Sequence, residues 1–170
     1  MSRKASVLSN FNIIDIAKQL NLNDLVFIGT QDTLLKVPKY KRKNKFYIIN
    51  LDRMPENGGE GVGNHWVMLS THSTPFYGDS YGMPPPKRIM NFIESLGYTN
   101  MDYLDAQIQS LKSEVCGWYA LMLCDMMNQY YKKGKTFNQF INDFLNMGWN
   151  LDRQEKNNYK IVNKYFSNRI

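Results

Sequence analysis

Between Val115 and Tyr131 the chain reads VCGWYALMLCDMMNQYY, a run in which Asp125, Asn128 and Gln129 are the strongly polar side chains. A helix with one polar face can lie on a surface, but a helix that is apolar nearly all round has to be enclosed. The run therefore predicts a central buried helix, and the rest of the chain must supply what encloses it. Uninterrupted apolar stretches such as WYALML and YIINL fall far short of the roughly 18 residues a membrane span needs. The opening MSRKASVLSNFN lacks the apolar core of a signal peptide, so a soluble chain made in the cytoplasm is expected.

The flanking patterns predict the enclosure. NFNIIDIAKQL spaces its apolar residues for a helix over 12–20, with Asn10 or Asn12 as its cap. LVFIGT, KFYIINL, HWVMLS and PFYG read as strands. DRMPENGGEGVGN, between the second and third of these, reads as a flexible loop that delivers His65. Three prolines at 84–86 cannot propagate a sheet but can open the helix KRIMNFIESL, which Gly97 stops. YTNMDYLDAQIQ reads as extended, and two amphipathic helices follow the buried one, around TFNQFINDFLNM and RQEKNNYKIVNKYF. The order predicts an α+β fold in which a mixed sheet packs beside the central helix that carries Cys116. With 170 residues, 43% of them apolar, no repeat and no linker, one domain over 1–170 is expected.

Few residues can carry chemistry. Cys116 sits with Gly117 at the predicted start of the buried helix, beside unpaired amide groups and the positive end of the helix dipole, which favour thiolate over thiol. A cysteine is otherwise a small apolar filler, and Cys124, two turns further on among apolar neighbours, reads that way. Eight residues of helix separate the two sulfurs by about 12 Å, too far for a disulfide. His65, at the loop-to-strand junction GNHWV, has the edge position a general base needs, and Asp79 in YGDSYG can orient its ring or simply form a turn. Gln109, seven residues before Cys116, could give a carboxamide N–H to an oxyanion hole completed by the Cys116 amide. His72, in THSTP, reads as a solvated loop residue.

Taken in order, GNHWV, YGDSYG and Q-x6-C-G resemble the adenovirus maturation protease (adenain) and the related proteases that remove ubiquitin-like modifiers. The likeness extends upstream, where IAKQLNLNDLVFIGTQD is similar to the adenain N-terminal helix and its Gly-Thr-x-Asp turn, and it covers roughly residues 12 to 131. It implies a cysteine endopeptidase in which His65, Asp79, Gln109 and Cys116 are catalytic and Asp32 supports the oxyanion hole. It also implies a monomer that cleaves viral capsid or core precursor proteins at small, Gly-containing sites, in the viral factory of the host cytoplasm and inside the virion. A virophage or Polinton-like virus would suit such a programme. Adenain carries Glu at the position of Asp79, as the ubiquitin-like-modifier proteases do not. Residues 98–105 hold no cysteine to tether an activating peptide, and the region from Thr136 onward shows no match.

The net charge is +6, and six cations fall between Lys36 and Lys45 with no acid among them. Lys36, Lys39, Lys41, Arg42, Lys43 and Lys45, interleaved with Tyr40, form either a nucleic-acid surface or a solvated loop face. The adenovirus enzyme uses DNA as a cofactor, so the resemblance adds viral DNA, bound without sequence preference, as an activator; no other cofactor, metal or membrane is expected. The chain has no P-loop, CxxC or HExxH motif, which leaves ATP hydrolysis and structural zinc unsupported. The rivals to a maturation protease are a protease for ubiquitin-like modifiers, favoured by Asp79, and a non-catalytic DNA-binding capsid component, favoured by the basic run.

Overall fold

The structure, a computed structural model, describes residues 7–52, 65–111, 113–150 and 154–170. The expected loop before His65 lies, from residue 53 to 64, outside the described residues. The elements are α1 (Asn10–Gln19), β1 (Leu25–Thr30), 3₁₀ turns at Gln31–Lys36 and Lys39–Lys41, β2 (Phe46–Asn50), β3 (Trp66–Ser70), β4 (Phe76–Gly78), α2 (Lys87–Ser95), β5 (Asp102–Tyr103), α3 (Cys116–Lys132), α4 (Phe137–Leu145) and α5 (Gln154–Ser167). Ser9 caps α1, not Asn10 or Asn12. Its hydroxyl accepts the Asn12 N–H while the Asn12 side chain returns to the Ser9 N–H, a reciprocal capping box.

The five strands form one mixed sheet in the order β1-β2-β3-β4-β5, with β1/β2 and β4/β5 parallel and the two central pairings antiparallel. Parallel neighbours need a crossover, because the chain must return to the start of the next strand. Residues 31–45 are that crossover between β1 and β2, and both 3₁₀ turns lie in it. The basic run is therefore a strap along the sheet.

Side chains alternate across a strand, and here both faces are covered. Phe46 and Ile48 of β2 and Trp66 and Met68 of β3 pack on the side of α3, together with α1, α4 and α5. Tyr47, Ile49, Val67 and Leu69 pack on the other side against Leu34, Ile89, Phe92 and Ile93. Every α3 residue from Cys116 to Asn128 is buried, as the enclosed-helix reading requires. Asp125, fully buried in its middle, receives Arg169 at 2.8 and 3.0 Å and the Tyr165 hydroxyl at 2.5 Å, so the charge is paired and α5 is fastened to α3. The segment expected to be extended before α3 holds only the two-residue β5. Beyond it Ile108 and Gln109 turn back, and both donate their N–H to the Ser80 carbonyl, at 2.9 and 3.0 Å.

Gly78, the last residue of β4, lies tightly against α3 and β3. A Cβ there would lie 2.7 Å from Leu123 Cδ1 and 2.8 Å from Met68 Cγ. Gly78→Ala should lower unfolding free energy by about 1 to 3 kcal/mol through overpacking, measured as a reduced urea midpoint with an unchanged m-value.

Candidate active site

His65 immediately precedes β3 and Asp79 immediately follows β4. These strands run antiparallel with Met68 opposite Gly78, so the start of one and the end of the other meet at one end of the sheet. His65 Nε2 lies 2.6 Å from Asp79 Oδ1, with Asp79 2% exposed and the imidazole 15%. The His65 carbonyl accepts the Leu51 N–H at 3.0 Å, which pins the backbone at the junction.

Cys116 opens α3 at the same place. The Trp66 N–H donates to its Sγ at 3.3 Å, the residue after the histidine thus holding the sulfur. Val115, at the cap position, supplies no side-chain acceptor to the first turn, so positive partial charge from the helix start stands against the sulfur. Gly117 is needed by a close approach: a Cβ would come 3.1 Å from the Leu8 side chain, and the Leu8 carbonyl in turn accepts the Trp66 indole N–H at 3.1 Å. With Nε2 committed to Asp79, Nδ1 of His65 is the ring nitrogen left to face the thiol, and it is buried with no hydrogen bond formed among the described residues. Burial pulls the His65 pKa down, but the hydrogen bond to Asp79 and the close approach and charges of Asp79 and Cys116 outweigh it, and the ring is pushed up to about 9.

Gln109, 1% exposed, joins the group indirectly. Its Oε1 accepts the Ser80 hydroxyl at 2.5 Å, and its Nε2 donates one hydrogen to the Ser113 carbonyl at 3.0 Å. A carboxamide carries two such hydrogens, so the orientation is fixed with one donor still to give. Asp32 stands in the first 3₁₀ turn after β1, at the same sheet end but two strand spacings, roughly 10 Å, from β3. Cys124 is fully buried, and burial, with the Asp125 charge, pushes its thiol far up.

Two sequence readings need correction. His72 is half-buried rather than freely solvated: its ring lies between Phe46 and Tyr131, at 4.8 Å from each, and Nδ1 meets Ser70 Oγ at 2.7 Å. Burial, with a further downward push from Lys45 against an upward one from Asp24, lowers its pKa to about 4. Arg42 is not a nucleic-acid contact, because it is buried and its guanidinium donates to the Val37 and Leu35 carbonyls at 2.8 and 3.0 Å. Lys45 is paired with Asp24 at 2.9 Å. Lys36, Lys39, Lys41 and Lys43 remain exposed.

Three participants went unread in the sequence. Ser80 and Ser113 fix Gln109. Tyr81 stacks on His65 with ring centroids 4.1 Å apart and planes 7° from parallel. The only signal was position, since D-S-Y-G places Ser80 and Tyr81 directly after the acid. Among the described residues no group of three or more His, Cys, Asp or Glu side chains could hold a metal ion, and no helix is long and apolar enough to cross a membrane.

The fold, a mixed sheet whose end meets the start of a buried cysteine-bearing helix, is one that cysteine proteases use. Two crystal structures of the ASFV pS273R protease share it, one of them of the selenomethionine protein. They match with TM-scores of 0.56 and 0.53 at 14% identity, over 98% of this chain and 68% and 69% of theirs. No family model matches the sequence, and no curated protein matches it either.

The two histidines should titrate far apart. NMR of the ring Hε1 protons should place His65 near 9 and His72 near 4. Because the His65 value lies above the roughly 6.5 of an unfolded chain, its contribution to stability is complete below that pH and is lost as pH rises through about 9. Asp79→Asn should flatten that alkaline loss, read from urea midpoints across the range.

Proposed function

We propose that the chain is a cysteine endopeptidase in which Cys116 is the nucleophile. The observation that carries this reading is the placement of the Cys116 sulfur, held by the Trp66 N–H at 3.3 Å, beside a His65 whose Nε2 lies 2.6 Å from Asp79 Oδ1. The likeness in fold to the ASFV pS273R protease supports it. His65 takes the thiol proton through Nδ1, Asp79 holds the ring and balances its charge, and the thiolate attacks the scissile carbonyl. The oxyanion then meets the Cys116 N–H and the remaining Gln109 Nε2 hydrogen. The imidazolium returns the proton to the leaving amine, and the same histidine activates water to release the acyl group. Asp32, at the flank, would support the oxyanion side at a distance.

The proposed substrates are capsid or core precursors cut at small, Gly-containing sites by a monomeric enzyme in the viral factory and the assembling virion, in a programme like that of a virophage or Polinton-like virus. Asp79 keeps a protease for ubiquitin-like modifiers as a second reading, and cleavage of a Gly-Gly conjugate in preference to precursors would select it. Viral DNA is proposed as an activator on Lys36, Lys39, Lys41 and Lys43. If no cleavage accompanies DNA binding, the chain is a DNA-binding capsid component instead.

Incubation with the structural proteins of the same genome, read by mass spectrometry of new termini, should show cleavage that Cys116→Ala abolishes without loss of folding. Cys124→Ser should cleave normally at low temperature but lose about 1 to 3 kcal/mol of stability, because a hydroxyl replaces a buried thiol. Gln109→Ala should lower kcat by about 10² to 10³. Equal loss of activity at both cysteines, with intact folding, would reject Cys116 as the specific nucleophile.

Duplex DNA binding followed by anisotropy should weaken with log K falling by about 0.9 per log unit of salt for each phosphate neutralised. Replacing Lys39, Lys41 and Lys43 together by Ala should remove about three phosphates' worth of that slope. Arg42→Ala should instead lower stability, with its two carbonyls left unpaired. A slope that survives the triple replacement would move the DNA face elsewhere.

A further inference from the structure

The Cβ–Cγ bond and the hydrogen bond to Asp79 hold the His65 ring at its two ends, but the ring can still turn about the line between them. That turn carries Nδ1 toward or away from Cys116. Tyr81 supplies the missing constraint. Its ring lies flat against the imidazole, 4.1 Å between centroids and 7° from parallel, so the plane as well as the two ends is fixed. Tyr81 is itself held at both ends. Its N–H donates to the same Asp79 Oδ1 at 2.8 Å, and its hydroxyl donates to the Ser113 carbonyl at 3.2 Å, which also accepts Gln109 Nε2. Gly82, the next residue, closes the turn with an N–H to the Asp79 carbonyl at 2.8 Å. Its φ of +73° and a Cβ position 2.8 Å from the 106–107 backbone allow little but glycine there.

We propose that Tyr81 is a positioning residue that clamps the His65 ring plane through its flat aromatic face. The inference rests on the cysteine-protease reading and adds to it a determinant of how often the base is aligned. A stacked aromatic face also favours the charged imidazolium over the neutral ring. The phenol stays neutral and able to donate, since burial and the charges of Cys116, Asp79 and Glu114 all raise its pKa.

The test needs no substrate. Alkylation of Cys116 by iodoacetamide is followed by peptide mass mapping across pH, with fully buried Cys124 as the internal control. In the wild type, Cys116 should react far faster than Cys124 and keep reacting at mildly acidic pH, where only a histidine-paired thiolate persists. Tyr81→Leu should cut the acidic-limb rate about 10-fold, the size expected for losing one stacked cationic contact. The rate at high pH, where the thiol ionises unaided, should stay as in wild type. Tyr81→Phe keeps the flat face and should restore the acidic limb. Tyr81→Met serves the same comparison if the leucine variant does not fold. A wild-type acidic limb in Tyr81→Leu or Tyr81→Met overturns the proposal while leaving the protease reading standing. Loss in Tyr81→Phe as deep as in Tyr81→Leu overturns the stacking role. An unreactive wild-type Cys116 overturns the protease reading, and this proposal with it.

Discussion

Burial of α3 on all sides organises the molecule. Each large apolar side chain taken fully out of water is worth about 1.5 to 3 kcal/mol, and the unbroken buried run from Cys116 to Asn128 needs cover from the sheet, α1, α4 and α5 together. Enclosure has a cost at Asp125, whose charge needs Arg169 and Tyr165 from the far end of the chain. It also decides where chemistry can occur. The middle of an enclosed helix is closed to a substrate, so Cys124 is sealed. The helix start, also buried, stands at the sheet end, where Cys116 meets Trp66, His65 and the turn after β4. Two turns of helix separate a structural thiol from a candidate nucleophile.

The turn after β4 is the second organising element, and its two readings in the sequence are both true. Asp79 is a turn-former, because Oδ1 accepts the N–H of Tyr81 two residues on. Asp79 is also the partner of His65, through the same oxygen. Ser80 adds a second junction, accepting the Ile108 and Gln109 amides on its carbonyl and orienting the Gln109 side chain with its hydroxyl. Hydrogen bonds to ionised groups are roughly twice as strong as neutral ones, so a carboxylate serving turn and imidazole together stiffens both.

Elements with strong periodicity were legible in the sequence. The buried helix begins at Cys116, β2 and β3 fall on KFYIINL and HWVMLS, and Gly97 ends α2 with φ +91°. His65, Asp79 and Cys116 were readable as a constellation because their order and neighbours are distinctive, and the structure brings them to one sheet end. What escaped were contacts between residues distant in the chain or hidden by composition. THSTP looks solvated from its polarity alone, yet His72 is covered by Tyr131 from the end of α3. KVPKYKRKNK looks like a loop of free cations, yet its crossover path buries Arg42 against its own carbonyls and draws Lys45 to Asp24. Tyr81 is one of eleven tyrosines, and no local pattern reveals which of them lies flat on a histidine.

The crossover also bears on what bound DNA could do. A parallel β1/β2 pair obliges residues 31–45 to run from the sheet end that holds His65 back to the opposite end, where Asn44 donates to the Thr71 carbonyl and Lys43 lies over Tyr98. β2 is five residues long, so the far half of the strap stands roughly 16 Å from the site end. Screening in physiological salt reduces exposed charges beyond about 8 Å. The groups that raise the His65 pKa are Asp79 and Cys116. On the proposed reading, phosphates held at Lys41 and Lys43 would be screened from His65, and any direct effect of bound DNA on the base would fall to Lys36 and Lys39, nearer the start of the strap.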